Sequence, residues 1–375
     1  MQIPESISAL YNHRGPFVTV YLDASRTTES GNTEVELRWR GLREQLASEG
    51  VDEKTLAALD ELAGAHHDIA GRHGQVLVAA GGEVLLDEVT RRPPLRELAR
   101  WSPLPHVLPY LVERCTQIPH VTVLIDRTGA DVFTVLDDVH SLQSSVAGGA
   151  DYPLRKTGRD VWNERAFQNR VDNAWETNSK EVAQAIAGHL PAQVQLVLVA
   201  GDVRPKAMVF EELIKQLPQR VKVQPLDHGA RAEGASTAAL EEAVHSALLH
   251  HSWSERHDIL GRLQQAVGRH DFAVTGICGV LDALRKAQVQ TLVLSDDPSS
   301  TATAAIGSEP LLLAATDDEL NALGVTQIEH DRLDAALVRA LAGSGAGIFV
   351  TPGAHQYVEQ GIAALLRYTD ASTPT

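Results

Sequence analysis

The sequence has few cysteines, few aromatic residues and no long apolar run. Its two cysteines, Cys115 and Cys278, stand far apart in 375 residues. This spacing predicts neither a disulfide framework nor a structural zinc site, and we expect two buried thiols in a reducing compartment. No stretch approaches the ~20 apolar residues that span a bilayer, and residues 1–5 lack the features of a secretory signal. These absences favour a cytoplasmic protein without a membrane partner.

An excess of basic charge and the common enzyme motifs are missing too. The chain has 33 Lys and Arg against 49 Asp and Glu, a net charge of −16. Phosphate contacts need cations, so we do not expect nucleic acid to bind over the whole surface, although local basic patches can still bind RNA. There is no GxxxxGK[ST] phosphate loop and no GxSxG nucleophile elbow. We therefore predict no cofactor, no metal site and no DNA partner.

Two local patterns are explained better by surface exposure or packing than by a site. His250, His251 and His257 lack the i,i+4 geometry and the HExxH context of a metal site, so surface histidines are expected. Residues 276–279 (Gly-Ile-Cys-Gly) lack the GxGxxG spacing of a dinucleotide turn and the later acidic residue. Neither pattern predicts a ligand.

Length and the alternation of strand and helix patterns indicate an α/β (α+β) protein with three mixed α/β domains. One core rarely grows past ~250–300 residues. Strands separated by helices predict mixed layers. The predicted domains are an N-terminal α/β domain (1–117), a middle domain (118–258) and a C-terminal α/β domain (259–375).

The first region predicts a strand, helices and a hairpin. Residues 15–22 form an apolar strand pattern, and residues 75–86 predict a hairpin around a Gly-Gly turn. A helix is expected over residues 52–63, with Asp52 as its N-cap.

The second and third regions combine strands with long connections. The second predicts a hairpin, a polar loop with glycines, a long helix, an apolar strand and a further helix; these lie at 120–136, 147–163, 164–190, 194–201 and 237–253. In the third, residues 278–288 predict a helix between two strand patterns. Residues 298–308, rich in Ser, Thr and Ala, predict a flexible loop.

The motifs of the third region resemble the C-terminal domain of the archaeal and eukaryotic peptide-release factors. They are Gly-Ile at 276–277, Val-x-Thr-Leu-Val-Leu-Ser at 289–295 and Gly-Ile-x-x-Leu-Leu-Arg-Tyr at 361–368. The hairpin, loop, helix and Val-Leu-Val-Ala-Gly strand (197–201) of the second region are similar to the middle domain of that family. The resemblance extends over residues 118–368. It implies a tRNA-mimicking arrangement of three domains, with a ribosomal-protein-like C-terminal domain, that works in the ribosomal A site.

The middle-domain loop departs from the family at the residue that supports peptide release. Family members that release peptides carry Gly-Gly-Gln, whose glutamine helps to place the attacking water and whose glycines let the backbone approach closely. Here Gly148 and Gly149 are followed by Ala150, and a comparison shifted by the length of the following helix puts the family glutamine near Trp162 instead. The motif is missing in both comparisons. Residues 71–75 (Gly-Arg-His-Gly-Gln) echo the motif but precede a strand in the first domain. The departure predicts that the protein is not an enzyme.

A family member without this glutamine is expected to occupy the ribosome without cleaving peptidyl-tRNA. The chain is similar to the Balon-type ribosome hibernation factors among the bacterial members. That resemblance implies binding to the A site and rRNA of the 70S ribosome under stress, with elongation factor Tu beside it.

Two alternatives stay open. One is a peptidyl-tRNA hydrolase for ribosome rescue, with its water placed by Gln168 or Asn163; the other is a stress-induced interaction protein that never meets the ribosome.

The middle-domain loop combines cations, aromatic rings and glycines. Between residues 148 and 170, the cations outnumber the acids by two in a chain that is acidic overall. Cations contact phosphates and aromatic rings stack on bases, which suits irregular RNA, although an ordinary solvated loop would carry similar charges. Arg367 would either touch RNA or cap the final strand. The candidate rRNA-binding residues are Gly148, Gly149, Tyr152, Pro153, Arg155, Lys156, Arg159, Trp162, Arg165 and Arg170.

Overall fold

Two compact units make up the fold of the chain, which is known from a computed structural model. One unit contains Met1–Thr116 and His257–Thr375, and the other contains Gln117–Arg256. Both are mixed α/β. The division into three domains stays a prediction, since the first and third of them pack together in the larger unit. The structure describes residues 1–28, 30–67, 69, 71–115, 118–126, 129–136, 141–147, 177–227, 237–297, 300–352 and 358–370.

The N-terminal part of the larger unit is a four-stranded antiparallel sheet with helices on both faces. The strand order is β3-β2-β1-β4. One pair of helices, α2 and α3, covers the face of Val20 and Leu77, and the pair α1 and α4 covers the face of Tyr21 and Val76. Because both faces are covered, the central strands are buried along almost their whole length. The elements are α1 (Glu5–Leu10), β1 (Phe17–Asp23), α2 (Gly31–Glu49), α3 (Glu53–Leu62), β2 (Gly74–Ala80), β3 (Glu83–Thr90), β4 (Leu98–Ser102) and α4 (Leu108–Cys115).

Local signals predict much of this sheet correctly. The strand at 15–22 is β1, and the hairpin over 75–86 is the β2–β3 pair. The predicted cap of α3 is confirmed, because the Asp52 carboxylate accepts the N–H of Thr55 at 2.9 Å. β4 has no such signal, since its five residues follow a Pro-Pro pair and include an arginine.

The C-terminal part of the larger unit contains two small sheets, the helices α8, α9 and α10 and, from His257, the end of a longer helix. The strand orders are β10-β16-β11-β15 and β13-β12-β14. The two motifs at 289–295 and 361–368 become the paired strands β11 and β16. The helix α10 is buried around most of its circumference. The elements are β10 (Ala273–Thr275), α8 (Ile277–Arg285), β11 (Val289–Asp296), β12 (Thr303–Ile306), β13 (Leu313–Ala314), α9 (Asp317–Ala322), β14 (Glu329–Arg332), α10 (Leu333–Ser344), β15 (Gly347–Pro352) and β16 (Ile362–Leu366).

The prediction of a flexible loop over residues 298–308 is wrong. Within this range the structure has β12, which pairs with β13 on one side and β14 on the other. Its residues Ala304, Ala305 and Ile306 are buried. Strand preference depends on neighbouring strands and on burial, and both neighbours of β12 come from later in the chain.

Buried polar groups join the N-terminal and C-terminal parts of the larger unit. The Asp331 carboxylate is fully buried and accepts hydrogen bonds from the guanidinium of Arg100 and, at 2.7 Å, from the N–H of Leu104. The Asp334 carboxylate lies 3.3 Å from Nε2 of His106. We call Arg100, His106, Asp331 and Asp334 the polar junction. Each contact joins residues that are more than two hundred positions apart in the sequence.

The middle unit is a five-stranded sheet with helices on both faces. The strand order is β7-β6-β5-β8-β9. One face packs Val123 and Val199 against α5 and α6, and the other packs Leu124 and Leu198 against α7. The boundary between the two units falls within α7. The elements are β5 (His120–Ile125), β6 (Gly129–Val135), β7 (Ser141–Ala147), α5 (177–189), β8 (Leu196–Gly201), α6 (Val203–Gln216), β9 (Lys222–Pro225) and α7 (Thr237–Arg269).

The predicted hairpin at 120–136 is confirmed as β5 and β6. The helix predicted over 164–190 can be followed only from residue 177, and α7 continues to Arg269, well beyond its predicted end at 253.

Two side-chain predictions are wrong. Cys278 was expected to be buried, but it is exposed in the first turn of α8. His251 was expected at the surface, but only 4% of it is exposed, and its Nε2 lies 3.8 Å from Glu255. Burial lowers the pKa of His251, so the neutral imidazole is favoured there.

Candidate functional site

One edge of the middle sheet collects the ends of four strands. β5, β7, β8 and β9 run in the same direction, and β6 runs against them. Their last residues, Ile125, Ala147, Gly201 and Pro225, therefore lie along one edge, which we call the carboxyl edge. Segments that leave the carboxyl ends of parallel strands often carry binding and catalytic groups. The candidate site is built on this edge.

A glycine lies at the centre of the carboxyl edge, where β8 comes very close to β5. Gly201 has a φ of +120°, and a Cβ at this position would lie 1.8 Å from the carbonyl oxygen of Ile125. The next N–H, that of Asp202, donates to the same oxygen at 3.0 Å. Only glycine lets β8 approach β5 this closely while the chain turns into α6.

The rest of the carboxyl edge is held by short polar contacts. The N–H of Asp126 donates to the carbonyl of Gly129, and the N–H of Gly129 donates back to the Asp126 carboxylate, both at 3.0 Å. This is ordinary turn chemistry, as its sequence position predicts. Lys206 Nζ donates to the carbonyl of Leu226 at 2.6 Å, which ties α6 to the end of β9. Val203, 80% exposed, presents an apolar group to solvent.

The predicted rRNA-binding loop lies outside the described residues. This applies to all ten candidates from Gly148 to Arg170, and to Asn163 and Gln168 of the hydrolase alternative. Both ends of the segment are placed, however. Ala147 pairs with Gly129 at the carboxyl edge. The helix α5 leads into the start of β8, which lies at the opposite edge, so α5 runs back along the sheet from the carboxyl edge. The described residues on either side of segment 148–176, Ala147 and the start of α5, therefore lie at this edge.

An unsatisfied amide lies near the start of α5. Asn178 is 8% exposed, and neither its Oδ1 nor its Nδ2 has a hydrogen-bond partner among the described residues. An unsatisfied buried amide costs roughly 1–3 kcal/mol, and native proteins keep few of them. Asn178 thus marks the base of segment 148–176 as a place suited to a polar partner. Nothing in the local sequence predicts this, since a single asparagine within a helix has no distinctive pattern.

The sequence that echoes Gly-Gly-Gln in the first domain has a structural role. Gln75 lies in β2 and is buried. Its Oε1 accepts the N–H of Gly64 at 2.7 Å, and its Nε2 donates to the carbonyl of Leu62 at 2.9 Å and to Asp87 at 2.7 Å. An amide with its hydrogen bonds used inside a sheet cannot place a water on a substrate.

Arg367 also has a structural role. Its guanidinium donates to the carbonyls of Ser344 and Gly345 at 3.2 and 2.9 Å, at the C-terminal end of α10. Cations at this end of a helix satisfy free carbonyls and stabilise the helix dipole. The residue caps α10 and not the last strand, and the alternative of an RNA contact stays a prediction.

In the described ranges, no three His, Cys, Asp or Glu side chains are arranged to hold a metal ion. No helix in those ranges combines the length and the apolar character that crossing a bilayer requires.

Two uncharacterized proteins of Mycobacterium tuberculosis are similar to the chain over nearly its full length. They are MT2704 of strain CDC 1551 / Oshkosh and Rv2629 of strain ATCC 25618 / H37Rv. Each is 28% identical over 369 residues, which cover 97% of this chain and 96% of the relative.

Similar solved structures include three translation-related proteins at low identity. Dom34 of S. cerevisiae, a translation termination-like factor, has a TM-score of 0.42 and 11% identity, covering 80% of this chain and 81% of its own. Ribosome-bound archaeal Pelota has a TM-score of 0.39 and 14% identity, covering 98% and 96%. The archaeal termination factor aRF1 has a TM-score of 0.24 and 14% identity, covering 96% and 95%. All three scores lie below 0.5, so they do not establish a shared arrangement of domains.

A family match falls on the middle region. Residues 119–269 match the model of bacterial archaeo-eukaryotic release factor family 2. This range begins just before β5 and ends with α7, so it contains the middle sheet, its carboxyl edge and segment 148–176. The middle region of the chain is therefore similar to bacterial archaeo-eukaryotic release factor family 2.

Proposed function

We propose that the protein is a ribosome hibernation factor. It occupies the A site of an idle 70S ribosome, and segment 148–176 reaches toward the peptidyl-transferase centre without releasing a peptide. The family match over residues 119–269 supports a translation-related role. The carboxyl edge supports the proposal as well, because the described residues that flank segment 148–176 lie at an edge held by short hydrogen bonds.

The sequence at the start of this segment is the observation that carries the proposal. Gly148 and Gly149 keep the two residues that permit close backbone approach. Gly149 is followed by Ala150 and not by the glutamine of the peptide-releasing members, and the other comparison, which puts that glutamine near Trp162, lacks it as well. A methyl group neither donates nor accepts a hydrogen bond, so it cannot orient a water for attack on an ester. The segment keeps the two glycines that suit a close approach to the peptidyl-transferase centre, and it lacks the glutamine amide that supports hydrolysis.

A ribosome-rescue hydrolase is the second candidate function. Gln168 and Asn163 supply side-chain amides elsewhere in the same segment. Either amide would have to reach the ester in place of the missing glutamine.

Peptide release from loaded ribosomes tests the two functions against each other. The full chain is added to 70S ribosomes that carry peptidyl-tRNA in the P site, and sedimentation and peptide release are measured together. We expect saturable co-sedimentation and release no faster than from ribosomes alone. Release that rises with protein concentration would support the rescue enzyme. Failure to co-sediment with either loaded or vacant ribosomes would overturn both functions.

A charge reversal in the segment tests how it binds. The variant R155E/K156E/R159E is expected to weaken ribosome binding, because phosphate contacts depend on cations, and to leave thermal stability nearly unchanged. The matched control is R14E/R40E/R269E, which changes the net charge equally at exposed arginines outside the segment. Equal binding by the two variants would contradict a role for this segment.

Adding elongation factor Tu to the same assay tests whether it binds beside the protein.

A further inference from the structure

One edge of the N-terminal sheet brings together two segments that are far apart in sequence. β1 ends at Asp23 and β3 ends at Thr90, and both residues pair with Gly74 at the start of β2. β4 begins beside the end of β1. The residues just outside these strands, 71–73 and 91–97, therefore lie next to one another. No sequence motif shows this juxtaposition, because antiparallel pairing creates it.

Four exposed arginines occupy this edge. We call Arg72, Arg91, Arg92 and Arg96 the arginine edge. No acidic residue stands between the second and the last of them in the sequence. In a chain with a net charge of −16, such a cluster produces a local positive potential that the surrounding surface lacks.

Of the acidic side chains near the arginine edge, Glu113 contacts the backbone N–H groups of Arg91 and Arg92, and three others have partners elsewhere. Asp23 and Glu97 both face the guanidinium of Arg38, at 3.9 and 3.7 Å. Asp87 accepts a hydrogen bond from Gln75 at 2.7 Å. The negative charge of Glu113 therefore offsets part of the charge of the arginine edge, whereas Asp23, Glu97 and Asp87 are engaged elsewhere.

Three members of the arginine edge have unpartnered side chains. Among the described residues, the guanidinium groups of Arg72, Arg92 and Arg96 make no hydrogen bond, ion pair or ring contact. Arg26 lies at the same edge and behaves differently, because its guanidinium donates to the backbone carbonyls of Gly64 and Ala24 and holds the neighbouring turn. The three unpartnered groups are available to a molecule outside the chain.

The loop that carries most of the arginine edge is fixed at its base. The Glu113 carboxylate accepts the N–H groups of Arg91 and Arg92 at 2.6 and 3.3 Å. The Thr90 hydroxyl donates to the carbonyl of Arg92 at 2.9 Å. Residues 93–94 are prolines, whose rings restrict φ. Less backbone freedom is lost when such a loop binds.

We propose that the arginine edge binds the phosphate backbone of RNA; that this RNA is rRNA rests on the proposed function. A guanidinium matches the geometry of a phosphate through two parallel hydrogen bonds. A protein partner would need an apolar centre at the contact. Within residues 71–73 and 91–97, Leu95 is the one large apolar side chain that is exposed, which favours RNA.

Neutralising the three unpartnered arginines tests the proposal on the full chain. The variant is R72Q/R92Q/R96Q, and the matched control is R14Q/R40Q/R269Q, whose arginines are exposed and unpartnered elsewhere among the described residues. Binding is measured by fluorescence anisotropy with a labelled single-stranded RNA and by co-sedimentation with 70S ribosomes, each over a series of salt concentrations. Thermal melting of both variants checks that they fold.

The wild-type chain should bind RNA with an affinity that falls with salt. The edge variant should lose about tenfold in affinity, and its slope of log K against log salt should be shallower by about 2, at ~0.7 for each lost single-strand phosphate contact. The control should keep the wild-type slope and affinity within about twofold, because binding to a defined site depends on local cations more than on net charge.

The outcomes separate this inference from the proposed function. RNA binding that weakens in the edge variant, without any ribosome binding by the wild type, supports the arginine edge and overturns the hibernation function. Ribosome binding that is equal in wild type and edge variant, together with unchanged RNA binding, supports the function and overturns the arginine edge. Equal weakening by both triple variants also overturns it, since net charge alone would then explain the effect. Absence of RNA binding by the wild type overturns it as well.

Discussion

The two compact units differ in the buried contacts that hold their parts together. In the larger unit, the N-terminal and C-terminal parts meet at the polar junction, where the fully buried Asp331 accepts hydrogen bonds from the guanidinium of Arg100 and from the N–H groups of Leu104 and Arg332. In the middle unit, both faces of the sheet are covered by apolar side chains such as Val199 and Leu198. Replacing one member of a buried charged pair leaves the other member unpaired, so few residues can take its place. A buried apolar side chain can be replaced by other apolar side chains of similar volume at a smaller cost in stability.

This difference in buried contacts affects how freely residues in each unit can be substituted. The stability of the middle unit depends on the two faces of its sheet, and Ala147, the last described residue before segment 148–176, lies at one edge of that sheet. The larger unit has less freedom, because its junction fixes particular charged partners.

The largest expected effect comes from removing the buried charge of the junction. Asp331→Ala leaves the buried N–H of Leu104 without a partner and Arg100 without its carboxylate, so the larger unit should lose about 3–5 kcal/mol of unfolding free energy. Amide hydrogen exchange by mass spectrometry should show faster exchange in β4 and β14, with β5 and β8 unchanged.

Asp317→Ala is the matched control for that substitution. Asp317 pairs with His330, but both side chains are at least half exposed, so the loss should stay below about 1 kcal/mol. Equal losses in the two variants would contradict the importance of the polar junction.

A cavity in the middle sheet should have the next largest effect, confined to the other unit. Leu198 is fully buried, so Leu198→Ala should cost about 2–5 kcal/mol. Faster exchange should appear in β5 and β8 and leave β4 and β14 unchanged. Leu249→Ala, at a half-exposed position of α7, is the control and should have little effect. A uniform change across both units would show that they do not unfold separately.

The sequence predicts those elements of both units whose signals are local. The hairpin at 120–136 and the apolar strand that becomes β8 follow from alternation and from continuous apolar runs. The cap at Asp52 follows from residue type and position alone.

Features that depend on distant partners could not be predicted. Arg100 and Asp331 are 231 residues apart, and neither residue signals the other. The residues of β12 are mostly small, and they form a strand because β13 and β14 pair with it. The arginine edge depends on the pairing of β2 with β3, and the unsatisfied amide of Asn178 depends on the packing of α5. The ten loop candidates rest on residue types alone and stay predictions.

A smaller effect is expected from a methyl group added at the carboxyl edge. Gly201→Ala places a Cβ against the Ile125 carbonyl at a positive φ, and this strain should cost at least about 1–3 kcal/mol. Gly188→Ala is the matched control, because no atom lies within 4 Å of the new Cβ in α5. That change should stabilise the helix by roughly 0.5–1 kcal/mol. Denaturant unfolding of both variants measures the difference, and a loss in both or in neither would contradict the assigned role of Gly201.

The smallest expected effect is the dependence of the polar junction on pH. Burial raises the pKa of Asp334, but hydrogen bonds from His106 and Arg332 outweigh burial, so the pKa lies well below its ordinary value. A carboxyl group with a depressed folded-state pKa stabilises the protein above its unfolded pKa of about 3.9, and this stabilisation is lost as the pH falls toward the folded value. Between pH 5 and pH 3, wild type should therefore lose roughly 1 kcal/mol more than Asp334→Asn. Denaturant unfolding at a series of pH values measures that difference. Parallel curves for the two proteins would mean that the junction is held by packing and by Asp331, with no contribution from the charge of Asp334.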